Sequence, residues 1–296
     1  MHEFKVWEPG TLEEVFSLLN AYKDEVCILA GGTDLLIRLR NGVCNYKHLV
    51  SIDRLKDWDK VKLNNNEVVL GALTKISDIE FHKELITYFP FLVKAAGRLG
   101  SPQIRNLATL GGNLCNAAPS AEMVPPLLAL DAKVVIVGPD VNKEISLESF
   151  FTGPRQTVLS KSELLRYIRI DIPSYLWQGV YYKLSLRKAM DIAVANIAVL
   201  LSLDKNNDKI SKARIALGAV SPTPVRIHEA ENALVGKKEI TPNLINHVAL
   251  ICSNSVNPID DIRASATYRK AMVKELVARG VKECWHLLKQ YKEDIQ

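Results

Sequence analysis

Arg105-Asn106-Leu107-Ala108-Thr109-Leu110-Gly111-Gly112-Asn113-Leu114-Cys115-Asn116-Ala117 is the stretch on which the reading of the chain turns. An adjacent glycine pair lets the backbone pass through positive φ without steric cost and leaves no Cβ to hold a ligand away. Successive amides then converge on one anion, and the Thr109 hydroxyl and Asn113 amide add side-chain hydrogen bonds. A second stretch, Ile28-Leu29-Ala30-Gly31-Gly32-Thr33-Asp34-Leu35-Leu36, repeats the recipe: an apolar strand-like run enters a Gly-Gly-Thr turn and leaves toward a helix. Two such nests suit a diphosphate. Each pair taken singly also reads as an ordinary tight turn between apolar runs. Neither is a Walker loop or a Gly-x-Gly-x-x-Gly fingerprint, so the usual nucleotide motifs are absent.

With 296 residues the chain buries a large core and makes about two domains. Its cysteines, Cys27, Cys44, Cys115, Cys252 and Cys284, are odd in number, widely spaced and without a C-x-x-C. That argues against a zinc site, an iron–sulfur cluster held by this chain alone, or a secreted disulfide framework. The N-terminus lacks the apolar core of a signal peptide, and the longest apolar run, 194–203, is too short to span a bilayer. A soluble cytoplasmic protein is expected. Basic and acidic residues, 38 and 33, are mixed along the chain for a net +5. The nearest approach to a basic stripe, Arg263, Arg269, Lys270, Lys274 and Arg279, is expected to fall mostly on the solvated face of a helix, which speaks against nucleic acid.

Thr11-Leu12-Glu13-Glu14 is a capping box, and Leu12, Val15, Phe16 and Leu19 follow at helical spacing. Strands are expected over 26–30 and 48–53, with a helix from Leu35 that is capped by Thr33 or Asp34 and ends at Asn41-Gly42. The pattern restarts at 55: a hairpin, 60–63 and 67–72, turns across Asn64-Asn65-Asn66, and helices cover 77–83 and 90–100. A helix over 124–130 and strands over 133–137 and 165–172 complete this part. The irregular alternation favours α+β over a regular βαβ sheet. Pro173-Ser174-Tyr175 marks a domain boundary. Beyond it, 179–186, 193–203 and 209–217 read as a three-stranded antiparallel meander, turned at Asn206-Asn207-Asp208, and helices follow over 229–235, 241–253 and 264–289.

Ala30-Gly31-Gly32-Thr33-Asp34-Leu35-Leu36, Gln103-Ile104-Arg105-Asn106 and Thr109-Leu110-Gly111-Gly112-Asn113-Leu114 together resemble the signatures of the FAD-binding (medium) subunit of molybdenum hydroxylases, the family of xanthine, carbon monoxide and nicotinate dehydrogenases. The resemblance runs almost end to end. It implies a two-lobed, PCMH-like FAD-binding domain over 1–174, with lobes of about 1–54 and 55–174, and a smaller C-terminal flavoprotein domain over 178–290. It further implies that Ile28, Leu29, Ala30, Gly31, Gly32, Thr33, Asp34 and Leu35 form the first FAD loop, and Thr109, Gly111, Gly112 and Asn113 the second. Glu122 stands where relatives often carry Asp. Ile168 sits near a position that relatives lay against the isoalloxazine, and its other reading is a plain core residue. Lys183 matches a lysine placed beside the flavin, where a cation would stabilise the anionic reduced ring.

The loop Arg187-Lys188-Ala189-Met190-Asp191-Ile192-Ala193 resembles the one that meets the electron acceptor, and some NAD-using relatives carry an acidic residue where Met190 stands. Two further motif-like stretches, 218–226 and 260–269, are expected to serve structure and subunit contact, with Asp260 and Asp261 at a helix N-terminus. No residue is expected to be catalytic in its own right and none to ligate a metal. The resemblance thus implies an oxidoreductase subunit, a hetero-oligomer's electron-transfer flavoprotein: electrons from a substrate such as xanthine or another purine, hydroxylated on a molybdopterin-binding large subunit, pass by [2Fe-2S] clusters of a small subunit to FAD and on to NAD+ or another acceptor. Purine catabolism is the implied setting. Two alternatives stand beside this: a self-contained flavin oxidoreductase of the related two-lobed fold, and a phosphate-nest binding module without redox chemistry.

Overall fold

The computed structural model describes residues 3–64, 66–173, 176–204 and 208–295. Parts of the expected turns fall outside this set, namely Asn65, Asn206 and Asn207, as do Ser174 and Tyr175 of the boundary segment.

The chain begins with a three-stranded sheet of order β1-β3-β2, formed by β1 (Lys5–Trp7), β2 (Val26–Leu29) and β3 (His48–Ser51), all parallel. Helix α1 (Leu12–Tyr22) makes the first crossover. Its Thr11 Oγ1 accepts from the Glu14 amide at 3.3 Å, while the Glu14 carboxylate reaches back to the amide of Gly10, one residue before the cap. Val15 and Leu19 carry its buried stripe. Helix α2 (Leu35–Arg40) makes the second crossover and stops where expected, at Asn41, with Gly42 at φ +69°.

A five-stranded antiparallel sheet follows, of order β4-β5-β10-β6-β7: β4 (Val61–Leu63), β5 (Glu67–Gly71), β6 (Lys133–Gly138), β7 (Val141–Ser146) and, after the small hairpin β8 (Phe151–Gly153) and β9 (Gln156–Thr157), β10 (Leu164–Asp171). Between β5 and β6 the chain makes six short helices: α3 (Ile76–Phe81), α4 (Lys83–Tyr88), α5 (Pro90–Gly97), α6 (Pro102–Arg105), α7 (Leu110–Cys115) and α8 (Val124–Ala129). Prolines in the first turn of α5, α6 and α8 fit there because the missing N–H has no helical partner.

The last part is an antiparallel sheet of β11 (Trp177–Leu184), β12 (Ala195–Leu203) and β13 (Ile210–Gly218), extended by the two-residue β14 (Val225–Arg226). Helices α9 (His228–Leu234), α10 (Pro242–Asn254) and α11 (Ala266–Ile295) complete it. Every residue of β12 is buried. Ile197, Val199 and Leu201 join a core with Val273, Val277 and Val281 of α11, whereas Ala198 and Leu200 join the core of the preceding part with Leu92 and Ala96 of α5. Covered on both faces, the strand reads as an unbroken apolar run instead of an alternating one. Charges reinforce the junction: Arg214 Nη2 stands 2.7 Å from Asp131 Oδ2, and Arg226 pairs with the same carboxylate. No helix among the described residues is long and apolar enough to cross a membrane.

Candidate functional site: the Gly31 loop against the segment entering α7

The loop after β2 and the segment entering α7 meet directly. A methyl group on Gly31 would stand 1.9 Å from the carbonyl oxygen of Leu107 and 3.1 Å from the Cα of Ala108. Only a residue without a Cβ lets the two backbones approach this closely. Gly32 then turns the chain at φ +69°, and the Leu36 amide closes the turn on Gly32 O at 3.1 Å. Among the described residues, the amides of Gly31, Gly32, Thr33 and Asp34 donate to no acceptor. Ile28, Leu29, Ala30 and Leu35 flank them, half-buried.

The second loop is built otherwise than its sequence suggests. Gly111 and Gly112 are not at positive φ; they lie in α7, whose N-cap is Thr109. Thr109 Oγ1 accepts from Gly112 N at 3.1 Å, Thr109 O from Asn113 N at 3.0 Å, Thr74 O from Leu110 N at 2.9 Å and Ala72 O from Gly111 N at 2.7 Å. The main-chain donors expected to meet an anion are therefore spent inside the protein. Gly111 is required for another reason, since a methyl there would lie 2.7 Å from both the Cβ and the carbonyl oxygen of Ala72. What this segment does leave open is Asn113 Oδ1, buried and without a hydrogen-bond partner. The two Gly-Gly pairs thus differ: one is a turn with open amides, the other a helix start fitted against β5. Asp34 is the N-cap residue of α2 but makes no side-chain capping bond. Its carboxylate faces Arg155 instead, with Nη1 3.1 Å from Oδ1.

Arg155 joins the site without any local sequence signal. Its Nη1 also donates to Asn116 Oδ1 at 2.6 Å and its amide to Ala117 O at 2.9 Å, so one residue in the β8–β9 turn, at φ +60°, ties the loop after β2 to the end of α7. Sequence separations of 121 and 39 residues hide this from any local pattern.

Glu122 and Lys183 are brought to each other. Lys183 Nζ donates to Glu122 Oε1 at 2.7 Å, to Arg98 O at 3.0 Å and to Asp191 O at 2.8 Å, so its three hydrogens are all engaged and the side chain is 3 % exposed. It is thus a buried, fully engaged cation and not a free one. Burial pushes the Glu122 carboxyl above its ordinary value, and the Lys183 charge and hydrogen bond oppose that rise. Through Asp191 O the ammonium also holds the 185–192 loop, whose Met190 amide donates to Gly100 O at 3.2 Å. Ile168 is paired between Leu70 and Val134 in the middle of the five-stranded sheet and has no accessible surface. Of its two readings, the core residue is the one its burial supports.

Comparison with known proteins agrees with the fold. Residues 2–174 match the family model of the FAD binding domain in molybdopterin dehydrogenase, and residues 180–284 that of the CO dehydrogenase flavoprotein C-terminal domain. The chain is 32% identical over 281 residues to the glyceraldehyde dehydrogenase medium chain of Sulfolobus acidocaldarius, covering 95% of this chain and 98% of that one. It is 31% identical over 278 residues to the nicotinate dehydrogenase FAD-subunit of Eubacterium barkeri, covering 93% of each. Among solved structures, carbon monoxide dehydrogenase from Hydrogenophaga pseudoflava superposes with a TM-score of 0.92 at 29% identity, over 96% of this chain and 98% of its own.

A two-lobed α+β body followed by this C-terminal sheet and helices is the architecture of a flavin-carrying subunit, not of a freestanding phosphate-binding module. The chain belongs to the family of FAD-binding medium subunits of molybdenum hydroxylases, and FAD is its cofactor. The residues present fit such a group: open loop amides suit a diphosphate, and the buried, unpartnered Asn113 Oδ1 suits a ligand donor.

Proposed function

We propose that this chain is the FAD-carrying electron-transfer subunit of a molybdenum-dependent hydroxylase complex, with residues 1–174 as the FAD-binding domain and 178–290 as the C-terminal domain. Its partners are a molybdopterin-binding large subunit and a [2Fe-2S] small subunit, and its setting is the cytoplasm. The substrate, oxidised on the large subunit, is a purine such as xanthine or a related N-heterocycle, a class to which the nicotinate relative's substrate also belongs. The bound flavin's chemistry is to accept electrons one at a time and release them as a pair to NAD+, or singly to another acceptor.

The chain's own residues bind and orient. Gly31, Gly32, Thr33 and Asp34 offer their amides to the diphosphate, Ile28, Leu29, Ala30 and Leu35 frame that loop, and Asn113 accepts a ligand hydrogen bond. Thr109, Gly111 and Gly112 act at one remove, by setting α7 against Ala72 so that Asn113 is held in place. Glu122 and Lys183 fix the loop where the acceptor arrives. The single observation that carries this reading is the contact of Gly31 with Leu107, which sets four open amides of one lobe against the segment that leads to Asn113 in the other. Purification from the native host tests it: two companion chains and an absorption spectrum with flavin and iron–sulfur bands support the proposal, and a lone, colourless chain that retains no added FAD contradicts it.

A further inference from the structure

An anion-binding loop that carries its own carboxylate poses an electrostatic problem. Asp34 closes the run of open amides, its side chain is 40 % exposed, and its charge lies next to the place where a doubly negative diphosphate would sit. Left alone, it would repel the ligand that the amides attract. Arg155 removes the difficulty: its guanidinium approaches both carboxylate oxygens, at 3.1 Å and 3.5 Å. Arg38 also pairs with this carboxylate, but at 4.0 Å and without a hydrogen bond, so Arg155 makes the closer contact. The Asn116 bond and the amide bond to Ala117 O fix the direction from which the guanidinium arrives.

We propose that Arg155 is a positioning residue for FAD, whose task is to cancel the Asp34 charge so that the loop after β2 accepts a diphosphate. This rests on the reading of that loop as the FAD-diphosphate site. The pair also ties the loop after β2 to the β8–β9 turn, and Arg155 is what makes a carboxylate tolerable there. A neutral ligand would gain nothing from the arrangement, so the effect belongs to the anionic bridge of the dinucleotide.

The test is FAD affinity of the purified full chain, freed of flavin and titrated by fluorescence at low salt, for wild type, Arg155→Ala, Asp34→Asn and the double variant. Arg155→Ala is expected to weaken FAD about tenfold, and the double variant to recover to within about threefold of Asp34→Asn, because the unpaired carboxylate is gone. Raising the salt should narrow the gap between wild type and Arg155→Ala. Wild-type affinity in Arg155→Ala overturns the proposal. So does a loss that the double variant does not recover, which would make Arg155 only a mechanical tie. If wild type itself binds no FAD, the reading of the site falls and the proposal with it, an outcome distinct from either of those.

Discussion

The backbone of Gly31 rests against the carbonyl of Leu107 so closely that a single added methyl would stand 1.9 Å from that oxygen. The atoms such a methyl would meet, Leu107 O and C and Ala108 Cα, are all backbone, so the clash is relieved only by moving one segment away from the other. Gly31→Ala is therefore expected to cost about 1–3 kcal/mol of stability and to strip FAD from the purified chain. Gly42→Ala is the control: nothing lies within 4 Å of where a Cβ would stand, yet its φ is +69°. It should cost about 1 kcal/mol and leave flavin content intact. Thermal melts and flavin-to-protein absorbance ratios separate the two.

Thr109 holds α7 at its start through one hydroxyl. Thr109→Ala should lower stability by about 1 kcal/mol, and Thr109→Ser should restore most of it, because serine keeps the capping oxygen. Denaturant melts of the three proteins give the comparison; equal midpoints would mean that the cap contributes nothing.

The Lys183–Glu122 pair is buried, and losing one partner strands the other. Lys183→Met is expected to destabilise by about 3–5 kcal/mol at neutral pH. Glu122 has a folded-state pKa already raised by burial. For a carboxyl of that kind, stability is greatest below the unfolded value and is lost as pH rises through the folded one. Without Lys183 that loss deepens, so the melting temperature of Lys183→Met should approach wild type as pH is lowered toward the ordinary carboxylate range. Glu122→Gln, uncharged at every pH, should show no such convergence. A constant gap between Lys183→Met and wild type would refute the assignment.

Asp261 shows the opposite sign. Burial works against its ionisation, but hydrogen bonds from the amides of Arg263 and Ala264 and from the Arg269 side chain prevail and hold its pKa at about 2 instead of 3.8. The ionised form then contributes up to about 2 kcal/mol above the ordinary carboxylate pKa, and this is lost as pH falls through the depressed value. Asp261→Asn should be less stable than wild type by that amount at neutral pH, with the difference vanishing near pH 2. Arg269 also donates to the carbonyls of Val194 and Ala219, so the expected structural role of the 260–269 stretch has a concrete form.

Local signals carried the sequence reading well. The α1 cap, the stop at Asn41-Gly42 and the three long strands of the last sheet follow from residues that lie within a few positions of one another. Short elements were missed where tertiary partners make them: β1 exists because Lys5–Trp7 lies along β3, and β14 because Val225 and Arg226 pair with β13. The two Gly-Gly pairs look alike in sequence and fold differently. Propensity permits positive φ at both, but only Gly32 uses it, while the Ala72 and Thr74 carbonyls draw Leu110 and Gly111 into a helix. Arg155 left no trace, since a lone arginine after Gly153-Pro154 announces a turn and nothing about a carboxylate in the other lobe.

The proposed function requires the open amides of the loop after β2 to be the ones that receive the FAD diphosphate. Backbone amide NMR of the isotope-labelled chain during FAD titration reads this directly. Large shifts at Gly31, Gly32, Thr33 and Asp34, with smaller ones at Gly111 and Gly112, whose amides are already bonded, are the predicted result. Saturable FAD binding that leaves the Gly31 to Asp34 amides unmoved would contradict it.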